Sequence, residues 1–190
     1  MRNARSARPL HALSCTLAIT LAIPSAAAAQ TRDEERARAE RDGYFRDQRV
    51  LMYTLAGWAA TSIATGTVMW AGADGHEATR WAGIQNVAWG AVDGALAALA
   101  LYNLSKDAGE EKTEMGWRAD RARTQRVFTW NAGLDLLYVA VGGALAAFGK
   151  DDGLRGAGAA ILVQGGFLLA FDTTAALVIR PSWGASGSQR

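Results

Sequence analysis

Four apolar stretches, each long enough to cross a bilayer, take up about half of this chain: about 50–73, 81–103, 127–148 and 156–179. A helix rises ~1.5 Å per residue, so about 20 residues span a hydrocarbon core of ~30 Å. A soluble helical bundle would show polar residues recurring at about 3.6-residue spacing along each helix. These stretches hold too few polar residues for that. Trp70, Trp81, Trp130, Tyr53 and Tyr102 fall near their ends, where an interfacial aromatic belt belongs. The expected fold is therefore all-α, a transmembrane four-helix bundle spanning residues 50–180, with the lipid bilayer as its surroundings. Half the residues are apolar and 21 are glycine, which excludes disorder and suits a membrane protein.

The flanks read differently. Residues 1–29 resemble a secretory signal peptide: Arg2, Arg5 and Arg8, then TLAITLAIP, then small residues ending at Ala29. The apolar run is short for a span and Pro24 interrupts it, which favours cleavage over an uncleaved anchor. Cys15, the only cysteine, would leave with it. Residues 30–49 are charged, and Glu34–Arg38 and Asp42–Arg46 have the favourable acid-to-base order for a surface helix outside the membrane. Residues 104–125 form a long charged connector, expected to be partly helical outside the bilayer. Residues 181–190 read as a flexible tail.

Short connectors at 73–80 and 149–155 make spans one and two, and spans three and four, two antiparallel hairpins. Gly57 and Gly66 recur as Gly133 and Gly142, while Gln85 and Asp93 recur as Gln164 and Asp172. These matches suggest tandem copies of a two-span unit, related by an axis near the membrane normal.

Charge inside the spans is confined to acids. Asp93, Asp135 and Asp172 lie in spans two, three and four, and a charged side chain there costs roughly 2.5–3.5 kcal/mol on insertion scales. Counting from the span centres places all three on one side of the midplane, within about one helical turn of depth. Asn131 continues that layer outward, and Gln85, Asn86 and Gln164 form a second polar layer in the other leaflet. Helical spacing aligns Asn131, Asp135, Tyr138 and Gly142 on span three, Gln85, Trp89 and Asp93 on span two, and Gln164, Leu168 and Asp172 on span four. Ala140, Gly143 and Ala147 offer a small-residue stripe for a neighbouring helix. Trp58 and Trp89 are expected as core packing. No Lys, Arg or His lies deep in any span, so at least some of the acids are expected to be protonated. Such a layer either bonds helix to helix or exchanges a proton or cation.

Other chemistry is poorly supported. His11 lies in the signal and His76 in a connector, so no paired-histidine metal site is expected. ADGHE reads as an ordinary polar connector, and GASGS lacks the strand and helix of a nucleophile elbow. There is no phosphate loop or dinucleotide fingerprint. Beyond the three N-terminal arginines the chain is near neutral, so no nucleic-acid surface is implied. Neither an enzyme nor a cofactor is expected.

NAGLDLLYVAVGG and ILVQGGFLLAFD resemble a family of short bacterial four-helix membrane proteins catalogued only as a domain of unknown function. The resemblance covers about residues 50–180 and is most specific at Asn131-Ala-Gly-Leu-Asp135 and at Gln164-Gly-Gly-Phe-Leu with Asp172. Asn86 and Trp89 match the family's Asn/Trp stretch, whereas Asp93 stands where an amide is expected. The family implies the fold and no activity.

An exported signal places 31–49, 104–126 and the tail outside, leaving Arg80, Lys150 and Arg155 inside. That arrangement opposes the positive-inside rule; the signal-based orientation is preferred. The expected location is the inner membrane, multi-pass. The expected role is an envelope interaction or scaffold protein, with a homo-oligomer or envelope protein as partner. The alternative is a small proton- or cation-coupled transporter or channel using Asp93, Asp135 and Asp172.

Overall fold

A computed structural model describes the backbone of residues 12–181 and the side chains from residue 28; the tail beyond 181 and His11 lie outside it. The described residues form four helices: α1 (Ala12–Ala71), α2 (Glu77–Asp107), α3 (Glu114–Phe148) and α4 (Asp152–Val178). α1 runs without a break through Ala29 and joins the charged 30–49 segment to the first apolar stretch. Local chemistry sets the boundaries. Asp74 (φ 38) and Gly75 (φ 82) turn the chain between α1 and α2 in the left-handed region, where glycine carries no Cβ penalty. Thr113 accepts a hydrogen bond from the Gly116 amide at 3.2 Å, and Asp151 from the Leu154 amide at 2.8 Å, capping α3 and α4.

α2, α3 and α4 are long and apolar enough to cross a membrane. Residues 50–71 are helical, as expected, but α1 is not among those three. Its apolar half carries Thr54, Thr61, Thr65, Thr67 and Ser62, which lower its hydropathy. Thr54, Thr61 and Thr67 donate to the carbonyls four residues back, at 2.7–2.9 Å, so those hydroxyls need no water. Large apolar side chains point outward from the bundle; Trp130 is 77% and Phe148 84% exposed. A soluble surface would aggregate with so much apolar area uncovered.

α1 packs along α2, α3 along α4, and α2 against α4, while α2 and α3 make no close backbone contact. Glycines permit the closest approaches. A Cβ on Gly66 would fall 2.6 Å from the Gly83 carbonyl oxygen, and one on Gly142 would fall 2.5 Å from the Leu162 nitrogen. These two glycines are one of the pairs that the sequence spacing matched; the other pair, Gly57 and Gly133, both face open space. Gly156 joins the two pairs of helices by lying against Ala78. The expected stripe of Ala140, Gly143 and Ala147 does not carry the α3–α4 contact. Ala140 and Ala147 are exposed, because the buried edge of the helix runs through Gly142 instead.

Beyond the apolar spans, α1 and α3 meet again. Phe45, Leu104 and Trp117 form a small core, with the Phe45 and Trp117 rings edge to face at 5.6 Å. Beside it the buried Arg121 guanidinium lies 2.7 Å from Glu40 and 3.0 Å from Asp47. Tyr44 shares a hydrogen bond with Thr124 at 2.9 Å and accepts one from Gln48 at 2.7 Å. The charged segments were expected to be solvated; part of each is instead a packed cap. Lys112 ties down the α2–α3 turn, and its ammonium is held above its ordinary pKa by hydrogen bonds to Asp120 and Glu110.

Candidate functional site

On α3, Trp117, Arg121, Thr124, Phe128, Asn131, Asp135, Tyr138 and Gly142 recur every three or four residues. Helical geometry puts them on one stripe. That stripe begins in the packed cap and descends into the apolar bundle. Its lower half forms one wall of a cleft of about 630 Å³, and α2 supplies the other wall through Trp89, Val92, Asp93, Leu96 and Ala100. The floor comes from Leu168, Phe171 and Asp172 of α4 with Met52 and Leu55 of α1. The cleft lies between α2 and α3, which make no close backbone contact although both pack on α4.

Asp93, Asn131, Asp135 and Asp172, the first polar layer of the sequence reading, all line this cleft. The three acids are buried, at 2%, 3% and 5% exposure respectively. Asp135 and Asp172 lie within hydrogen-bonding reach of each other, and Asp93 is close enough to act on both electrostatically. Asp93 Oδ2 and Asp135 Oδ2 are buried without a hydrogen-bond partner. An unpaired buried acceptor costs roughly 1–3 kcal/mol, and more when charged. The cation on the cleft wall is Arg123, which sits at the outer mouth with Gln48 and Thr124. Among the described residues no three His, Cys, Asp or Glu side chains are placed to hold a metal ion.

The walls are aromatic and aliphatic. Trp89 meets Tyr138 edge to face at 5.1 Å across the gap between α2 and α3, and Phe128 meets Phe171 at 6.1 Å. Trp89 thus packs, as expected, and also bounds the cleft.

The second polar layer is assembled differently from the sequence reading. Gln164 is fully buried; its Oε1 accepts from Trp58 Nε1 at 2.6 Å, and its Nε2 donates to Ser62 at 3.0 Å and Asn86 at 3.5 Å. Trp58 also stacks on Phe167 at 3.9 Å, filling the space between α1 and α4. Gln85 does not join this layer. It lines a separate pocket with Trp81, Asp151 and Gly153, because its neighbour Asn86 takes the inward face and successive helical residues diverge by about 100°. Ser62 and Trp58 were missed as polar-layer members, although their i,i+4 spacing on α1 put them on one face.

Gln164→Leu is expected to leave the Trp58 N–H and the Ser62 hydroxyl unpaired. The expected loss is about 1–3 kcal/mol, read as a shifted SDS-unfolding midpoint in mixed micelles. Asn131→Leu, whose side chain lines an open cleft, is expected to move that midpoint far less.

The model of a family described only as a family of unknown function (DUF6992) matches residues 54–173, a stretch holding all the acids and amides of the two polar layers. No curated protein and no solved structure matches the chain.

Proposed function

The chain belongs to the DUF6992 family, a family of unknown function, and we propose that it is an integral membrane protein that takes up a proton or organic cation at its three-carboxylate cleft. One observation carries this reading: Asp93, Asp135 and Asp172 come from three different helices and meet in one cavity, two of them with unpaired oxygens. Acids serving only to bond helices together would be expected to end in satisfied pairs, as Gln164 does. Intramembrane carboxylates that face a cavity are the usual components of proton relays.

The same proposal has residues 50–71 as a fourth span beside α2–α4, with its threonine hydroxyls satisfied inside the helix. The spans are read as two tandem two-span hairpins, supported by the matched close contacts at Gly66 and Gly142. A bacterial inner membrane is the proposed location. Removal of residues 1–29 as a signal peptide would start α1 at Gln30, and the cross-helix ion pairs and buried contacts described above all lie from Glu40 onward. No bond-making chemistry is invoked.

The test is proton entry into proteoliposomes carrying an internal pH dye, under an imposed potential. Asp93→Asn, Asp135→Asn and Asp172→Asn are each expected to cut the flux by at least about tenfold while helix content is retained. Wild-type protein that passes no protons, or variants that pass them normally, would overturn the reading.

The envelope-scaffold reading keeps one observation of its own, the packed cap built from Phe45, Leu104 and Trp117 around the Arg121 ion pairs. A photocrosslinker at Arg38 or Glu111, both exposed beside that cap, distinguishes it. Reproducible capture of one envelope protein favours the scaffold, and capture of none counts against it.

A further inference from the structure

The shape and lining of the cleft say more than that it holds acids. Its two walls belong to helices that make no close backbone contact and touch through the Trp89 and Tyr138 rings, so a gap between them runs along the side of the bundle. Val92 and Leu96 on one wall, and Leu134 on the other, are each about half exposed, 49–55%. In a bilayer those side chains face acyl chains, so the gap opens sideways into lipid. A cavity of about 630 Å³ lies in the range of sites that enclose a small organic molecule. Its lower end offers two buried carboxylate oxygens that no protein group satisfies, Asp93 Oδ2 and Asp135 Oδ2. Trp89 and Tyr138 stand beside them, and aromatic faces attract cations. In the corresponding space between α1 and α4, Trp58 stacks on Phe167 and bonds Gln164.

A ligand for this place must be apolar along most of its length, to enter from lipid and lie between the walls. It must also present N–H donors and positive charge at one end, to meet the unpaired oxygens. We infer that the cleft is a binding site for a lipophilic primary or secondary ammonium ion, which enters laterally between α2 and α3 and seats its nitrogen on Asp93 and Asp135. An anionic amphiphile would place its charge against three acids, and a neutral alcohol would leave their charge uncompensated. Arg123 at the outer mouth would repel a cation approaching along the cleft axis, which leaves the lateral gap as the route. The charged and titratable groups on the cleft are Asp93 from α2, Asp135, Tyr138 and Arg123 from α3, and Asp172 from α4, with none from α1.

This inference rests on the carboxylate cleft being the working site, and its test is separable from the proton-flux test. The full-length chain in lipid nanodiscs is titrated with radiolabelled dodecylammonium. Saturable binding close to one per chain is expected, displaced by unlabelled dodecylammonium and not by dodecanol or dodecyl sulfate. The Asp93→Asn/Asp135→Asn double variant is expected to lose at least about tenfold in affinity. Since that variant alters buried groups, a second pair of variants leaves the acids alone. Leu96→Trp/Leu134→Trp narrows the gap and is expected to slow uptake of the label. Val163→Trp, at an exposed position on α4 outside the cleft, is expected to bind at the wild-type rate. Non-saturable uptake equal for amine and alcohol, or undiminished affinity in the double variant, overturns the site. A wild-type rate in Leu96→Trp/Leu134→Trp overturns the lateral route. Absent amine binding with an intact, aspartate-dependent proton flux removes this inference and leaves the carboxylate proton site standing; loss of both removes both.

Discussion

Gly142→Leu is expected to prevent stable assembly of α3 on α4. A Cβ at this position would sit 2.5 Å from the Leu162 nitrogen and 2.9 Å from the Ile161 carbonyl carbon and the Leu162 Cα. Real Cβ atoms do not approach other atoms so closely, and all three obstacles are backbone, so no rotamer change makes room. The two helices would have to separate along their length. Overpacking usually costs roughly 1–3 kcal/mol where side chains can give; here the expected loss is at or above the top of that range. Gly66→Leu meets the same kind of obstacle in the α1–α2 contact, with the Gly83 carbonyl oxygen at 2.6 Å and the Val87 nitrogen at 2.8 Å. Gly133→Leu and Gly57→Leu are the controls. Both positions face open space, and replacing a mid-helix glycine there gains roughly up to 1 kcal/mol of helix propensity. SDS-unfolding midpoints in mixed micelles for the four variants should therefore divide by whether the added side chain meets a neighbouring backbone. Equal behaviour of Gly142→Leu and Gly133→Leu would show that the α3–α4 contact does not govern stability.

The second large effect is expected outside the spans. Arg121 is 9% exposed at its side chain, and its two partners Glu40 and Asp47 are 15% and 17% exposed. Removing Arg121 leaves Glu40 without this partner and Asp47 with the exposed Arg46 at 3.2 Å; breaking a fully buried pair costs about 3–5 kcal/mol, and these half-shielded acids set that as the upper bound. Arg121→Ala should thus detach the outer part of α1 from α3. The readout is proteolysis within residues 30–49 together with loss of the Trp117 fluorescence signature. Adding Glu40→Gln and Asp47→Asn to Arg121→Met removes the stranded charges and is expected to recover much of the loss. Space for the guanidinium depends on Gly43, whose Cβ would fall 2.9 Å from Arg121 Nη2. Gly43→Leu is accordingly expected to resemble Arg121→Ala in the protease assay.

What could be read in the sequence follows from which forces act locally. Spans two to four are legible because lipid demands uninterrupted apolar length, and α2, α3 and α4 meet that demand. The first stretch was harder, since threonines that bond their own helix count against hydropathy without needing water. The acids could be placed at a common depth by counting residues at a fixed rise. Which way each helix is turned depends on its neighbours, and Gln85 shows the difference. Depth put it with Gln164, whereas rotation of α2 gave that position to Asn86. The gap between α2 and α3 was not legible at all, because it arises from glycine contacts made by other helix pairs. Arg121 was hidden by its surroundings. In a segment dense with charge, only its spacing from Trp117 and Phe128 marked it as inward-facing.

α3 is one unbroken helix of 35 residues with no proline between Glu114 and Phe148. It carries the ion-paired Arg121 at one level and the unpaired Asp135 about 21 Å further along its axis. The Arg121 ion pairs with Glu40 and Asp47 and the carboxylate of Asp135 are thus carried by one continuous helix. The packed cap and one wall of the cleft are therefore two levels of a single helix, joined along one stripe of side chains from Trp117 to Tyr138.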